Sequence, residues 1–176
     1  MAGRDFNFHF VSTREQAREL LDGREALYVA DCRCRDAKGD CRRSRGDVCV
    51  HFHPEPPRTR PISVLEAADI LEEAGAKRLV PRPFRTDDGS GVAGICFCCD
   101  DCCTYFANRI EACDKGASIE RTAMEDCLQC GACEDVCYFR ARAVVGGTLR
   151  IDRDKCYGCG LCVDVCPAEC VRMVAR

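Results

Sequence analysis

Two cysteine runs near the C-terminal end constrain this chain more than anything else in it. Residues 127–137 read CLQCGACEDVC and, after eighteen residues of spacer, residues 156–167 read CYGCGLCVDVCP. Each run is C-x2-C-x2-C-x3-C, a spacing that offers four thiolates to a [4Fe–4S] cube. Two-residue gaps let three sulfurs of one short loop converge on a common centre, and Gly131, Gly158 and Gly160 let the backbone pass close to it. Two zinc knuckles or a disulfide framework are the competing readings. A zinc site normally draws on two C-x2-C pairs set well apart, not on four Cys in eleven residues repeated once.

Nineteen of the 176 residues are Cys, about eleven per cent, a level that usually marks a disulfide-rich secreted chain. That class carries an apolar leader. Here the opening MAGRDFNFHFVSTREQ is polar and charged, and no run reaches membrane-spanning length. The expectation is a cytoplasmic protein, without membrane insertion, whose Cys ligate metal in a reducing compartment. The formal charge of −3 becomes more negative once metal is loaded, since each cube with four thiolates adds about −2. An acidic protein of this kind is not expected to bind nucleic acid.

Along the chain, residues 12–22 predict a short helix, with Ser12 and Glu15 as a capping box, Ala17, Leu20 and Leu21 as the apolar side, and Gly23 as the stop. Residues 26–32 predict a strand that delivers the first Cys, and 32–49 a charged loop. Four prolines keep 51–61 from being helical. Residues 62–75 give the clearest helical pattern: Ser63 and Glu66 as capping box, Val64, Leu65, Ala68, Leu71 and Ile70 as the stripe, Gly75 as the stop. Two prolines make 77–84 an edge strand, and 86–91 is a turn. Residues 92–98 predict a strand, then 99–112 a helix with thiols in its first turn, on the spacing of Cys99, Cys102 or Cys103, Phe106 and Ile110. Residues 113–122 are expected to be a linker. Beyond it the chain repeats with a period of 29, Cys127 matching Cys156 and Val145 matching Val174, around a hairpin at Gly146-Gly147. A short helix is expected after each Cys run. Without metal this half should not fold stably, because ligand binding supplies its folding free energy.

The C-terminal third, about residues 123–176, resembles the bacterial two-[4Fe–4S] ferredoxin family. In that family the fourth Cys of each run ligates the other cube. The resemblance therefore implies one cluster on Cys127, Cys130, Cys133 and Cys166, and a second on Cys156, Cys159, Cys162 and Cys137. It also implies one-electron transfer at low potential with no substrate of its own. Family members commonly carry Pro after both fourth Cys, whereas Tyr138 follows Cys137 here. Tyr138 restores a backbone N–H and sets a bulky ring near the second cluster, either of which retunes a potential. The whole chain also resembles a group of bacterial and archaeal 4Fe-4S binding proteins typical of anaerobes. The residues that carry this are Asp31-Cys32-Arg33-Cys34-Arg35, Cys41, Cys49, the helix within 60–75 and the knot GICFCC at 94–99. Members often read CNCCxCCC at the knot, and Asp101 stands where a further Cys would be. The resemblance brings a Cys-rich front module and no reaction.

Nine Cys lie in that front module in two groups: Cys32, Cys34, Cys41 and Cys49, then Cys96, Cys98, Cys99, Cys102 and Cys103. They are candidate ligands of a third centre, in a subset the sequence does not fix. A third [4Fe–4S] cluster, a zinc ion, and free or redox-active thiols are the three readings, soft thiolates suiting both metals. Vicinal pairs such as Cys98-Cys99 are unusual in simple zinc sites. Arg33, Arg35, Arg42, Arg43 and Arg45 would raise the potential of a nearby anionic cluster. Their four interleaved acids and the lack of aromatics argue against a nucleic-acid patch. His51 and His53 follow Cys49 closely enough to serve as ligands, and a solvent-facing loop residue is the favoured reading of each. Cys113 and Cys170 belong to no motif, and Cys170, in the place of Ala141, reads as a buried inert thiol.

The fold class expected is α+β: a Cys-rich α+β module over 1–112, a linker over 113–122, and a ferredoxin-like 2[4Fe–4S] domain over 123–176 with a pseudo-twofold repeat. The function expected is low-potential electron transfer to or from a partner oxidoreductase. No acid, base or nucleophile constellation is visible, so a carrier is expected over an enzyme. The alternatives are a reductase whose front cluster or Cys pairs act on a small molecule or disulfide, and a zinc- or redox-sensing binding protein.

Overall fold

The computed structural model describes residues 6–108 and 112–176. Its larger sheet is built almost wholly from the front half. The strands are β1 (His9–Phe10), β2 (Leu27–Ala30), β3 (Cys49–His51), β4 (Thr59–Ile62), β5 (Val80–Arg85), β6 (Val92–Cys98) and β7 (Cys113–Asp114), in the order β4-β2-β3-β6-β5-β1-β7. All pairs are antiparallel except β1 with β7.

Alternation along the strands gives this sheet two chemically different faces. On one, Leu27 and Val29, Val48, Val50 and Phe52, and Ile95 and Phe97 pack against helices α1 (Arg14–Leu21) and α3 (Val64–Ala76) through Ala17, Leu21, Ala67, Ile70, Leu71 and Ala74. On the other, Cys49 and His51 of β3 lie beside Cys96 and Cys98 of β6. The register Arg82↔Cys96 and Phe84↔Gly94 adds Arg82 and Phe84 to that face. Aliphatic packing thus stabilises one side while the other is free to hold polar and thiol groups.

Several local expectations shift. The first helix is capped by Thr13 and Gln16 rather than Ser12 and Glu15, because Ser12 is still held as extended chain by its N–H to the Pro81 carbonyl (3.1 Å). In α3 the Ser63 hydroxyl accepts from the Glu66 N–H (3.1 Å), but the Glu66 carboxylate is drawn away to Arg60. The helix runs through Gly75, whose missing Cβ leaves room for the Arg14 guanidinium, and stops at Ala76. Its buried stripe is Ala67, Ile70, Leu71 and Ala74, whereas Val64 and Leu65 are exposed. The expected loop 32–49 contains a helix, α2 (Arg33–Lys38), ended by Gly39 in a left-handed turn. Strand β5 is interior, not an edge: the Pro81 carbonyl faces β1, so the N–H groups that Pro81 and Pro83 lack fall on that sparsely bonded side. Helix α4 covers only Thr104–Asn108, so Cys99 and Cys102 precede it, Cys99 in irregular chain and Cys102 in a turn; Ile110 lies outside the described residues.

Residues 113–122, expected as a linker, carry β7 and β8 (Ser118–Thr122). From β8 onward the period of 29 governs the backbone. Strand β8, a 3-10 turn (Met124–Asp126), helix α5 (Ala132–Asp135) and β9 (Arg142–Val145) recur as β10 (Thr148–Ile151), a 3-10 turn (Arg153–Lys155), α6 (Leu161–Asp164) and β11 (Val171–Ala175). The two short helices lie inside the Cys runs, before the fourth Cys, rather than after them. Strand β8 pairs with β11 and β9 with β10, so the two units embrace by a pseudo-twofold. Even left-handed residues repeat: Gln129 with Gly158, Gly131 with Gly160, Arg140 with Glu169.

The halves meet through Val11, Val80, Val136 and Leu161, joined by the rings of Tyr105, Phe106, Tyr138, Phe139 and Tyr157. Phe139 stacks on Tyr157 with centroids 4.5 Å apart. Arg14 pairs with Asp164 at 3.1 Å, and the Gln16 amide donates to the Ser118 hydroxyl. The molecule is α+β throughout. Among the described residues no helix is long and apolar enough to cross a membrane.

Candidate metal centres

The front thiols gather because strands β3 and β6 pair and the loops after β2 and β6 fold over the same face. A cavity of about 260 Å³ results, lined by Cys32, Cys34, Cys49, Cys96, Cys98, Cys99, Cys102 and Cys103 together with His9, His51, Arg33, Arg58, Arg82 and Phe84. Within it the Cys49 and Cys96 sulfurs are 3.7 Å apart and His9 Nε2 is 3.8 Å from Cys96 Sγ. The buried Arg82 guanidinium donates to Cys103 Sγ (3.4 Å) and Cys98 Sγ (3.7 Å), and stacks on Tyr105 at 4.3 Å. The Cys34 thiol beside it pushes Cys32 up to about 11.

Cys41 belongs to a second, tighter group at the cavity wall. Its sulfur is 3.7 Å from Cys99 and 3.5 Å from Cys102, which are themselves 3.3 Å apart. Two carboxylate clamps bring it there. Arg42 donates from its backbone N–H and its guanidinium to Asp101, which Lys38 also contacts at 2.7 Å, and Arg43 forks onto Asp100. These arginines therefore tie one thiol loop to the other rather than facing a cluster. Lys38 and Arg42 hold the Asp101 carboxyl far below the usual range. Asp101, in the position of a further Cys, acts as the clasp. Desolvation opposes ionisation of Cys41, yet the Arg43 and Ser44 amides and Arg35 bring it down to about 7.

In the repeat, the eight thiols fall four to a cavity. Cys127, Cys130, Cys133 and Cys166 line one, and Cys137, Cys156, Cys159 and Cys162 line the other. Each cavity thus draws three sulfurs from one run and the fourth from the other. Thiolates are the donors a [4Fe–4S] cluster takes, so both donor sets fit it. Burial pushes the Cys159 and Cys162 thiols up, the latter to about 12. Loading metal therefore has to expel protons that burial favours.

Between the cavities sits Arg142, which lines both. It is 4% exposed, donates to Cys133 Sγ (3.3 Å), and pairs with buried Glu120 (2.6 Å) and the Thr122 hydroxyl (2.8 Å). The Ala141 N–H donates to Cys137 Sγ at 3.2 Å. Cys170 is buried as expected but not isolated: its sulfur lies 3.5 Å from Cys166 in the first cavity. Tyr138 does not line the second cavity. Its ring packs on Phe106 and its hydroxyl donates to the Arg78 carbonyl (2.9 Å), so it docks the front half instead.

The 4Fe-4S dicluster domain family matches residues 126–170. The C-terminal part is thus a ferredoxin-like domain with the capacity to bind [4Fe–4S] clusters. The match starts inside the first 3-10 turn, after β8, which pairs with β11. No curated protein and no solved structure matches the chain.

Sequence reasoning missed His9, Arg82, Glu120 and Arg142, and favoured solvent over ligation for His51. His51 lines the front cavity, its ring 5.1 Å from Phe84, while His53 is exposed. The signal available was alternation. Val48-Cys49-Val50-His51-Phe52 and Ile95-Cys96-Phe97-Cys98 each put aliphatics on one side and metal-ligand types on the other.

Proposed function

We propose that this chain is an electron-transfer protein, with a [4Fe–4S] cluster on Cys127, Cys130, Cys133 and Cys166 and another on Cys156, Cys159, Cys162 and Cys137. The observation that carries this is the four-and-four, crossed distribution of sulfurs around two cavities. When bound, such clusters supply reversible one-electron transfer. The chain's own residues set its terms. Arg142 places a positive charge and a sulfur hydrogen bond at the first cavity while lining the second, which favours the more reduced, more negative state. Phe139 and Tyr157 line the second cavity, and ring contacts continue from them through Tyr105 to Arg82 in the front cavity.

The front cavity is read as a third metal centre held by a subset of Cys32, Cys34, Cys49, Cys96, Cys98 and Cys103. Electrons would be exchanged with a partner oxidoreductase in a reducing, cytoplasmic compartment. Arg33 and Arg82 in this cavity, where Arg58 is paired with Glu55 (3.7 Å), also favour a second reading, in which a small anionic molecule is reduced there. Anaerobic purification with iron and sulfide analysis tests the first reading. About eight irons are expected from the repeat, and about four more that are lost in Cys49→Ser. Fewer than eight irons in the parent would sink it. Spectral perturbation of the front centre by small oxidised anions would turn the case toward the reductase.

A further inference from the structure

The nine front thiols do not form one site. Among the described residues, Cys41, Cys99 and Cys102 are the one group of three metal-ligand side chains whose donor atoms all lie within 4.8 Å of one another. The cluster thiols of the repeat are not drawn together in this way. Thiolates of a cube sit on different irons, so they stand apart, whereas ligands of a single ion share one centre. For tetrahedral zinc at a Zn–S length of about 2.3 Å, two ligand sulfurs are about 3.8 Å apart. The three separations here, 3.3, 3.5 and 3.7 Å, approach that spacing.

We propose that Cys41, Cys99 and Cys102 form a three-thiolate site for a single soft ion of the zinc class, separate from the six thiols left to the third centre. Thiolate sets select such ions. Three thiolates and a divalent cation leave a net charge of −1. The buried Arg35 supplies the balancing charge: it is 3% exposed, donates to the Phe97 carbonyl (2.9 Å), and has no partner for Nε or Nη1. The two acids between Cys99 and Cys102 are not available as a fourth ligand, since Asp100 is forked by Arg43 and Asp101 is held by Lys38 and Arg42. Cys99 and Cys102 also line the front cavity, so the fourth coordination position is left to water or a small molecule from that side. Three protein ligands with one exchangeable position is the pattern of reactive zinc rather than purely structural zinc. On binding, three S–H bonds ionise and three protons pass to solvent while no electron moves.

The test uses the full chain purified anaerobically, so that iron in the repeat is read separately from zinc. About one zinc per chain is expected, bound by three sulfurs and one lighter atom in X-ray absorption. Cys41→Ser, Cys99→Ser and Cys102→Ser should each lose that zinc and keep the parent's iron, whereas Cys49→Ser should keep the zinc. Asp101→Asn leaves all three thiols in place and loosens the clasp, so zinc should pass to a chelator several-fold faster. A parent without zinc whose iron falls in Cys41→Ser would assign the triad to a cluster and overturn the proposal. So would a Cys99–Cys102 disulfide found by alkylation and mass analysis of the anaerobic protein, or zinc retained in all three Ser variants.

Discussion

The front module and the ferredoxin-like domain use cysteine in opposite ways. In the front, an apolar core of Val50, Ile70, Leu71, Ile95, Phe97 and their neighbours lies under two helices, and the thiols are carried on the opposite face of an already supported sheet. In the repeat, helices of four residues and two-stranded ribbons enclose cavities lined by sulfur, with few apolar side chains to bury. Two-stranded ribbons are not stable alone in water. The front is therefore expected to position its thiols by folding, and the repeat to fold by having its thiols bound.

The comparison breaks most visibly on metal removal. Stripping iron anaerobically should abolish amide-exchange protection over residues 118–176 while β2, β3, β5 and β6 stay protected. Uniform loss across both halves would show that the front also depends on metal. Next in size, Ile70→Ala, at a site 1% exposed, should cost the front about 3–4 kcal/mol in denaturant unfolding, and the iron content of the repeat should not follow. A smaller effect tests the repeat itself. Gly158 has φ of +82° and its Cβ position is occupied by the Ser118 carbonyl, whereas the matched Gln129 has φ of +57° with a side chain in place. Gly158→Ala should cost more than about 2 kcal/mol from strain alone, while Gln129→Gly relieves a positive φ and should cost about 1 kcal/mol, through loss of the bond its side chain accepts from the Leu149 N–H (2.6 Å). Smallest of all, Tyr138→Phe removes one hydrogen bond to the Arg78 carbonyl and should weaken docking of the halves by about 1 kcal/mol. No change in the cluster spectra should accompany it. A spectral shift would return Tyr138 to the second cluster.

Much of the fold was legible locally. Ser63 before an apolar-periodic run, the Gly146-Gly147 turn and the two Cys runs act over a few residues, and each appears where its chemistry requires. Cap positions slipped where a distant partner competed: Pro81 held Ser12 extended, and Arg60 drew Glu66 off its box. The stripe of α3 rotated because the sheet, not the pattern of the helix alone, decided which side was covered. Strand β5 became interior because its prolines face β1, a fact of pairing that no run of residues states.

The sequence by itself determined the donors. The spacing of the eight repeat cysteines, the period of 29 and the alternation in 48–52 and 95–98 are short-range properties, set by how far a few residues reach. The tertiary structure alone decided the grouping. Cys41 meets Cys99 and Cys102 across separations of 58 and 61 residues because Asp100 and Asp101 clasp Arg43 and Arg42. Arg142 stands between two cavities because β9 pairs with β10 and its side chain is buried with Glu120 from β8. Such placements depend on which elements pack together, and packing is settled by the whole buried surface rather than by any one motif.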